Sequence, residues 1–429
     1  MIVKRYNVKK AGEYRNRISL VDKHSIPISP YTVIFLNKWI SQESASKKRK
    51  AEELKFILRE LESIRPETAN GTSGISGIDL VARALKGEFL SRSECRQLTD
   101  ACKYKVKRSV DNIIPIESLN SLALRNAIHS ANISNETVSN DTRKGRLKTA
   151  ISFIEFLYEE LHGQFRTPEH VKINYLASKH ELELSLKEKT NEVENPSFEE
   201  SKIPAPIYLR LLEIIQLESE ENPFKQSKHR NSLIVQLILE TGERRGAISK
   251  LKISDCKFEG SGDEIRITRT PDDPTDRRRD KPAQKTLQHS AYVDPEIMKS
   301  LDEYIKNERS KHAKSESHEF VFIAEHDSKG TAGEPLNTKG INQVFKTLSK
   351  ALGFHLNPHL GRHKWNELFS DLTKNMSHEE ADKLRRYAMG WSRTSEMVDV
   401  YNKFKHSVEV REIQRSRQQE IVSAGTSVE

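Results

Sequence analysis

The sequence predicts a multidomain, mainly α protein, with an all-helical first part and a mixed α/β second part that is mostly helical with a small antiparallel sheet. Three observations predict it. From about residue 29 to 187, apolar residues recur at three- and four-residue steps, the period of a helix face. A polar, acidic stretch, KEKTNEVENPSFEESK, then breaks the pattern and reads as a linker over about 188–203. Beyond it, DEIRITRT and HSAYVD alternate apolar and polar side chains, as half-buried strands do, among further helical runs.

In chain order, residues 1–28 mix basic residues with Ile, Val and Tyr in rough alternation, as a short strand or an N-terminal arm would. Helical spacing begins at Ser29 in SPYTVIFLNKWI, where Val33, Leu36, Trp39 and Ile40 share a face. A second helix follows in KKRKAEELKFILRELESI, with Leu54, Ile57, Leu58 and Leu61 as its stripe. The glycines of ETANGTSGISG fit a turn. Further helices are expected in GIDLVARALKGEF, SRSECRQLTDACKYKVKRSVDNII and NDTRKGRLKTAISFIEFLYEEL, the last with Leu147, Ile151, Ile154, Phe156, Leu157 and Leu161 at helical steps.

The second part is expected to run from 204 to 408. Helices at PAPIYLRLLEIIQLE and HRNSLIVQLILETG precede the DEIRITRT strand, and a charged hairpin tip, PDDPTDRRRDKPAQK, leads to HSAYVD. Helices at PEIMKSLDEYIKNERS, NTKGINQVFKTLSKALG, HLGRHKWNELFSDL, SHEEADKLRRYAM and SEMVDVYNKF follow, with a short strand at EFVFIA. The tail, 409–429, loses its pattern and reads as frayed or docked on a partner.

The chain has 429 residues, enough for two or three domains with their own cores. Lys plus Arg is 71 against 62 Asp plus Glu, a net charge of +9 that suits a polyanionic partner. Cys95, Cys102 and Cys256 form neither a disulfide framework nor a metal knuckle, which points to packing residues in a reducing compartment. The charged N-terminus lacks the apolar core of a secretory signal, and no apolar run reaches a membrane span, so a soluble cytoplasmic protein is expected.

The residues that carry chemistry lie in the second part. Arg244 follows the Thr241–Gly242 turn, where an apolar helix ends and a glycine lets the chain bend toward a ligand. His359 and Arg362 are three apart and share a helix face, with Asn357 and Pro358 as N-cap and first-turn residue. An anion is welcome near such a helix start. Two arginines can hold a phosphodiester's non-bridging oxygens, and a tyrosine hydroxyl can then attack the phosphorus to form a covalent ester. Tyr401 lies about forty residues beyond His359, after Trp391, whose indole N–H can donate to a phosphate oxygen. A lysine of the hairpin tip, Lys285 or Lys281, could protonate the leaving oxygen, and Arg277, Arg278 and Arg279 beside it would contact backbone phosphates. The recurrence of His355, His359 and His363 every four residues admits a zinc site, but Pro358 interrupts the helix and no cysteine or acid completes the set.

Taken in order, the Arg244 turn box, the hairpin lysine, the HLGRH box, Trp391 and Tyr401 resemble the tyrosine recombinase (phage integrase) family, over about residues 204–408. The resemblance implies a catalytic set of Arg244 and Arg362 as the clamp, Lys285 as the acid, His359 to position or deprotonate, Trp391 as donor in place of a commoner histidine, and Tyr401 as nucleophile. It implies a 3′-phosphotyrosyl link made without metal, ATP or other cofactor, double-stranded DNA with specific recombination sites as partner, and a homotetramer on that DNA, with an accessory DNA-bending or directionality protein as a further partner. The helical half, 29–187, would then grip DNA, with Lys47, Lys48, Arg49 and Lys50 as its phosphate contacts. The encoding DNA would be a mobile element. Related readings are a type IB topoisomerase or a DNA-binding protein that has lost cleavage.

Three departures from the family pattern stand out. The acidic residue usual three after the first arginine is Ala247 here, so another group must orient Arg244. Gly361 replaces the usual leucine before Arg362, which predicts a lost packing contact. Trp391 and Tyr401 are ten apart where nine is commoner, which suggests an extra residue in the turn.

Overall fold

The computed structural model describes residues 1–10, 12–38, 44–64, 77–105, 137–163, 166–188, 202–258, 263–282, 284–328, 330–398 and 401. Trp39, Ile40, nearly all of the ETANGTSGISG turn, the VKRSVDNII end of one expected helix, most of the linker, Val400 and everything after Tyr401, including the 409–429 tail, lie outside the described residues. The chain divides into two compact units, Met1–Val193 and Glu194–Glu429. Among the described residues, no helix is long and apolar enough to cross a membrane.

The first unit opens with a hairpin, not a lone strand. β1 (Ile2–Lys10) pairs antiparallel with β2 (Glu13–Val21), with Ile2 opposite Val21. Ile18 and Leu20 on β2 are buried and belong to the core of this unit. The Asn37 side chain completes the docking: its amide accepts from Ile18 N at 3.1 Å and donates to Ile18 O at 2.7 Å, as a neighbouring strand would.

Helices α1 (Pro30–Asn37), α2 (Ser44–Ser63), α3 (Leu80–Leu85), α4 (Arg92–Ala101), α5 (Asn140–His162) and α6 (Glu169–Lys187) build the rest. Of the expected α1 face, Leu36 is buried, but its partners are Thr32 and Phe35, and Val33 is only half-buried. Phe35 meets Phe153 of α5 edge-on at 5.0 Å, and aromatic edges contribute beyond their buried area, which explains the rotation of the helix toward Phe35. Leu54, Ile57 and Leu61 of α2 are buried as their spacing predicts. Ser91 and Glu94 form a reciprocal capping box at the start of α4, which satisfies two backbone donors of its first turn. Cys95 and Cys102 are packed in the same core, and burial pushes each thiol up to about 12, so both stay protonated.

In the second unit, α7 (Ala205–Ile214) precedes α8 (Lys228–Thr241), whose Leu233, Ile234, Val235, Leu237 and Ile238 are all fully buried. A helix covered on nearly every side is the centre of its unit. The short α9 (Arg245–Lys250) leads to a three-stranded antiparallel sheet in the order β3 (Cys256–Lys257), β4 (Glu264–Ile267), β5 (His289–Tyr292). The helices α10 (Pro295–Glu303), α11 (Thr338–Leu352), α12 (Pro358–Leu372) and α13 (His378–Ala388) surround α8 and the sheet. The observed architecture is therefore mainly helical with small antiparallel sheets.

Two expectations need correction. EFVFIA is not a strand: Phe320 and Ile323 make isolated bridges to Lys252 and Pro335, while Phe320 to Ile323 are all buried in the core. A run buried on every side looks like a strand by composition, but its amides pair irregularly, with Val321 N donating to Leu251 O and Phe322 O accepting from Leu336 N. The charged hairpin tip is not a solvated loop either. Between β4 and β5 the chain folds on internal ion pairs, Lys281 to Asp272 at 2.9 Å and Arg278 to Asp276 at 2.8 Å, with all four side chains buried.

Candidate active site

The site begins where α8 ends. Gly242 takes a left-handed conformation, φ 65°, and its amide caps Ile238 O. A Cβ at Gly242 would stand 2.8 Å from Trp365 Cγ and 2.9 Å from Met389 Cε, so both the turn and its floor require glycine. Trp365 is fixed beneath this turn by its indole N–H, which donates to Glu240 O at 2.9 Å. The turn delivers Glu243, Arg244 and Arg245 in succession. Arg245 is exposed and donates to Asn342 at 2.6 Å, whereas Arg244 is half-buried and its Nη1 is buried without a hydrogen-bond partner.

On the facing side, α12 starts as the sequence predicts: the Asn357 side chain accepts from His359 N and Leu360 N, and Pro358 occupies the first turn. Arg362 is 0 % exposed. Its Nη1 donates to Gly242 O at 2.8 Å, which ties α12 to the α8 turn, while its Nε and Nη2 are buried without partners. Burial and the like charge of Arg244 pull the Arg362 guanidinium down to about 10, which still leaves it cationic at neutral pH.

Trp391 and Tyr401 close the pocket. Their rings stack at 5.6 Å with 14° between planes, and the Arg362 guanidinium lies over the Trp391 ring at 5.6 Å. Both rings are buried; among the described residues Trp391 Nε1 has no hydrogen-bond partner, and Tyr401 Oη, beside the Arg362 guanidinium, meets none with good geometry. Burial raises the Tyr401 phenol above its ordinary value, although Arg362 and Arg244 beside it pull in the opposite direction. The structure thus brings Arg244, Arg362, Trp391 and Tyr401 together around one set of unpaired polar atoms.

His359 is open to solvent on one side, yet lost hydration and the nearby charges of Arg362, Arg244 and Arg245 hold it below the ordinary histidine range. The ring in contact with Tyr401 is His363, at 5.6 Å, and His359 packs on His363 at 4.4 Å. Burial and the same neighbours push His363 down to about 4. Both imidazoles are neutral at pH 7 and able to accept a proton. Among the described residues, no three His, Cys, Asp or Glu side chains gather as a metal site would require.

The two lysines part company. Lys285 is exposed in the segment entering β5. Lys281 is buried, bonded to Asp272 Oδ1 at 2.9 Å and to Asp273 O at 2.8 Å. Of the arginine triple, Arg277 and Arg279 are exposed, but Arg278 points inward: it donates to Ser249 O, Leu336 O and Asp276 and packs over Phe320, so it anchors this segment instead of reaching for a phosphate. In the first unit, Lys47 is buried, Arg49 is paired with Glu53, and Lys50 lies over the Phe35 ring at 4.5 Å. That leaves Lys48 as the exposed lysine of this cluster.

Sequence reasoning missed three neighbours of the clamp. Glu243 is fully buried and paired with His289 at 2.8 Å, and His363, which the sequence offers only as a metal ligand, lies against Tyr401. The expected gap at Gly361 is also absent. A Cβ there would lie 3.0 Å from Ile238 Cγ2, so glycine lets α12 approach α8 closely, and a leucine would force the helices apart.

The second unit is thus a mostly helical body with a small antiparallel sheet that sets a buried arginine, Arg362, and a half-buried one, Arg244, beside Tyr401. Residues 208–406, within the second unit, match the model of the phage integrase family, a family of tyrosine recombinases. Similar solved structures include XerA recombinase, at 15% identity over 86% of this chain and 92% of that one, with a TM-score of 0.33. XerH site-specific recombinase bound to difH substrate is 13% identical over 84% of this chain and 94% of that one, TM-score 0.40. A lambda integrase dimer bound to a core site is 15% identical over 86% of this chain and 93% of that one, also at 0.40. No curated protein sequence matches the chain.

Proposed function

We propose that this protein is a site-specific DNA recombinase or integrase that cleaves and rejoins DNA through a 3′-phosphotyrosyl ester on Tyr401. The observation that carries this reading is the convergence of five buried polar atoms that lack well-formed partners among the described residues, Arg244 Nη1, Arg362 Nε and Nη2, Trp391 Nε1 and Tyr401 Oη, in a phage integrase family domain. Buried polar groups are normally satisfied, and a phosphodiester would satisfy these.

In the proposed step, Tyr401 Oη attacks phosphorus and the P–O5′ bond breaks. The phenol proton passes to the neutral His359–His363 pair, and the departing 5′ oxygen takes a proton from a lysine, for which exposed Lys285 is the candidate. Arg244 and Arg362 neutralise the charge that builds on the non-bridging oxygens, and the Trp391 indole donates to one of them. A lone buried tyrosine with a raised pKa is a poor nucleophile, so the two guanidiniums that favour its phenolate are part of its activation. Because the ester conserves the energy of the bond it replaces, rejoining is the same step run backward. The partner would be double-stranded DNA bearing recombination sites, engaged by a tetramer, with Lys48, Arg277 and Arg279 as exposed cations for backbone contacts.

A library of nicked duplexes with a randomised core tests the reading, because a nick beside the scissile phosphate lets the 5′-hydroxyl fragment leave and traps the ester. Wild type should yield a denaturant-resistant adduct that mass spectrometry maps to Tyr401, and Tyr401→Phe should yield none. A wild-type protein that retains DNA yet never becomes linked to it would refute the assignment.

A further inference from the structure

Ala247 leaves the clamp without the carboxylate the sequence pattern calls for, and Ala247 itself is buried among apolar side chains where an acid would be unsolvated. A carboxylate nevertheless reaches the clamp from a different backbone position. Glu243, between Gly242 and Arg244, is 0 % exposed. Its Oε2 accepts from Arg244 N at 3.3 Å, and its Oε1 faces His289 Nε2 at 2.8 Å. Its charge also acts on Arg362, whose Nη1 is bonded to the adjoining Gly242 O. One acid therefore touches the backbone that carries the first arginine and follows directly on the residue whose carbonyl holds the second.

His289 is the other half of the arrangement. It stands at the first position of β5, and its Nδ1 faces Leu287 O at 3.0 Å while Nε2 faces Glu243. With an oxygen acceptor at each nitrogen, only the imidazolium satisfies both. Burial works against its charge, as does Arg362 from α12, but Glu243 from the α8–α9 turn and Leu287 O outweigh both and leave its pKa raised. Gly390, in a left-handed conformation with φ 59°, allows this ring its place: a Cβ there would lie 2.3 Å from His289 Nδ1. Leu287 N in turn donates to Gly390 O at 2.7 Å, next to Trp391. The pair thus bridges the turn that carries Arg244 to the turn that carries Trp391.

We propose that Glu243, held by His289, is the positioning carboxylate of the arginine clamp and replaces the acid absent at 247. It fixes the Arg244 backbone and balances the Arg362 charge so that both guanidiniums are set before the phosphate arrives. This inference rests on the phosphotyrosyl reading given above. Neither residue touches the reacting atoms, so the pair acts only through the arginines.

The test measures the first-order rate of adduct formation at saturating DNA, together with duplex affinity, on a trapping duplex whose scissile position carries either a phosphate or a neutral methylphosphonate. On phosphate, Glu243→Gln should slow adduct formation about tenfold to a hundredfold with unchanged affinity, the scale of an ångström-sized misplacement. On methylphosphonate one non-bridging oxygen is gone and the phosphorane carries one negative charge fewer, so the need for two set guanidiniums falls and the two proteins should agree within about threefold. His289→Ala should reproduce the loss on phosphate, whereas His289→Gln, which keeps a donor toward Glu243, should restore most of the rate. Equal slowing on both duplexes marks a merely structural role and overturns the proposal, as does a Glu243→Gln protein that cleaves at the wild-type rate. If neither protein reacts with the neutral substrate, or Glu243→Gln does not fold, the His289 variants decide: equal rates for Ala and Gln overturn it. A wild type that forms no adduct at all overturns the phosphotyrosyl reading, and this inference with it.

Discussion

Two regions of the second unit bury charge and handle it in opposite ways. The segment between β4 and β5 pairs its ions, Lys281 with Asp272 and Arg278 with Asp276, and gives each of the two cations backbone oxygens as well. The pocket around Arg362 leaves two arginines, an indole and a phenol with unmet polar atoms. Burying a charge is costly unless it is paired, so the first region reads as architecture, whereas the second has the unmet donors that the proposed phosphate contact would use. The difference separates residues of similar type and burial: Arg278 and Arg362 are both enclosed, but only Arg362 keeps donors in reserve.

Substitutions can break or sharpen this contrast. Asp276→Ala strands the enclosed Arg278 and should cost about 3–5 kcal/mol of unfolding free energy in a denaturant titration. Arg362→Met removes a cation that makes no ion pair within bonding distance among the described residues, so its stability should stay within about 1 kcal/mol of wild type while adduct formation falls roughly a hundredfold to a thousandfold. If Arg362→Met unfolds as readily as Asp276→Ala, the contrast collapses. Gly361→Leu forces a side chain between α12 and α8 and should cost about 1–3 kcal/mol in the same titration. The smallest effect concerns pH. His363 is held down to about 4, so the unfolded chain takes up its proton first, and stability is full above about 6.5 and declines as pH falls toward 4. Melting curves of His363→Asn should show a shallower loss over that window; an unchanged slope would mean that other groups govern it.

Much of this arrangement is legible in the sequence because it is local. The Asn357–Pro358 start of α12, the glycine at the end of α8 and the stripe of α2 follow from capping and period alone. The order of the motifs around Arg244, Arg362 and Tyr401 identifies the family. What the sequence hides is contact across long separations. Glu243 and His289 are 46 positions apart and look like an ordinary turn acid and a strand histidine until folding joins them. Gly361 looks like a deletion of packing because the proximity of Ile238 is invisible in one dimension. An acid directly before Arg244, where the usual one is missing, was a signal that could have been read.

Of the three tryptophans in the chain, Trp365 lies under the Gly242 turn and Trp391 stacks on Tyr401. Both indoles pack in one small cluster, Trp365 against the turn that carries Arg244 and Trp391 against the Arg362 guanidinium. The protein therefore carries its own optical probe: emission from these two rings should change when an anion enters, and occupancy can be followed by light without a label attached to either molecule.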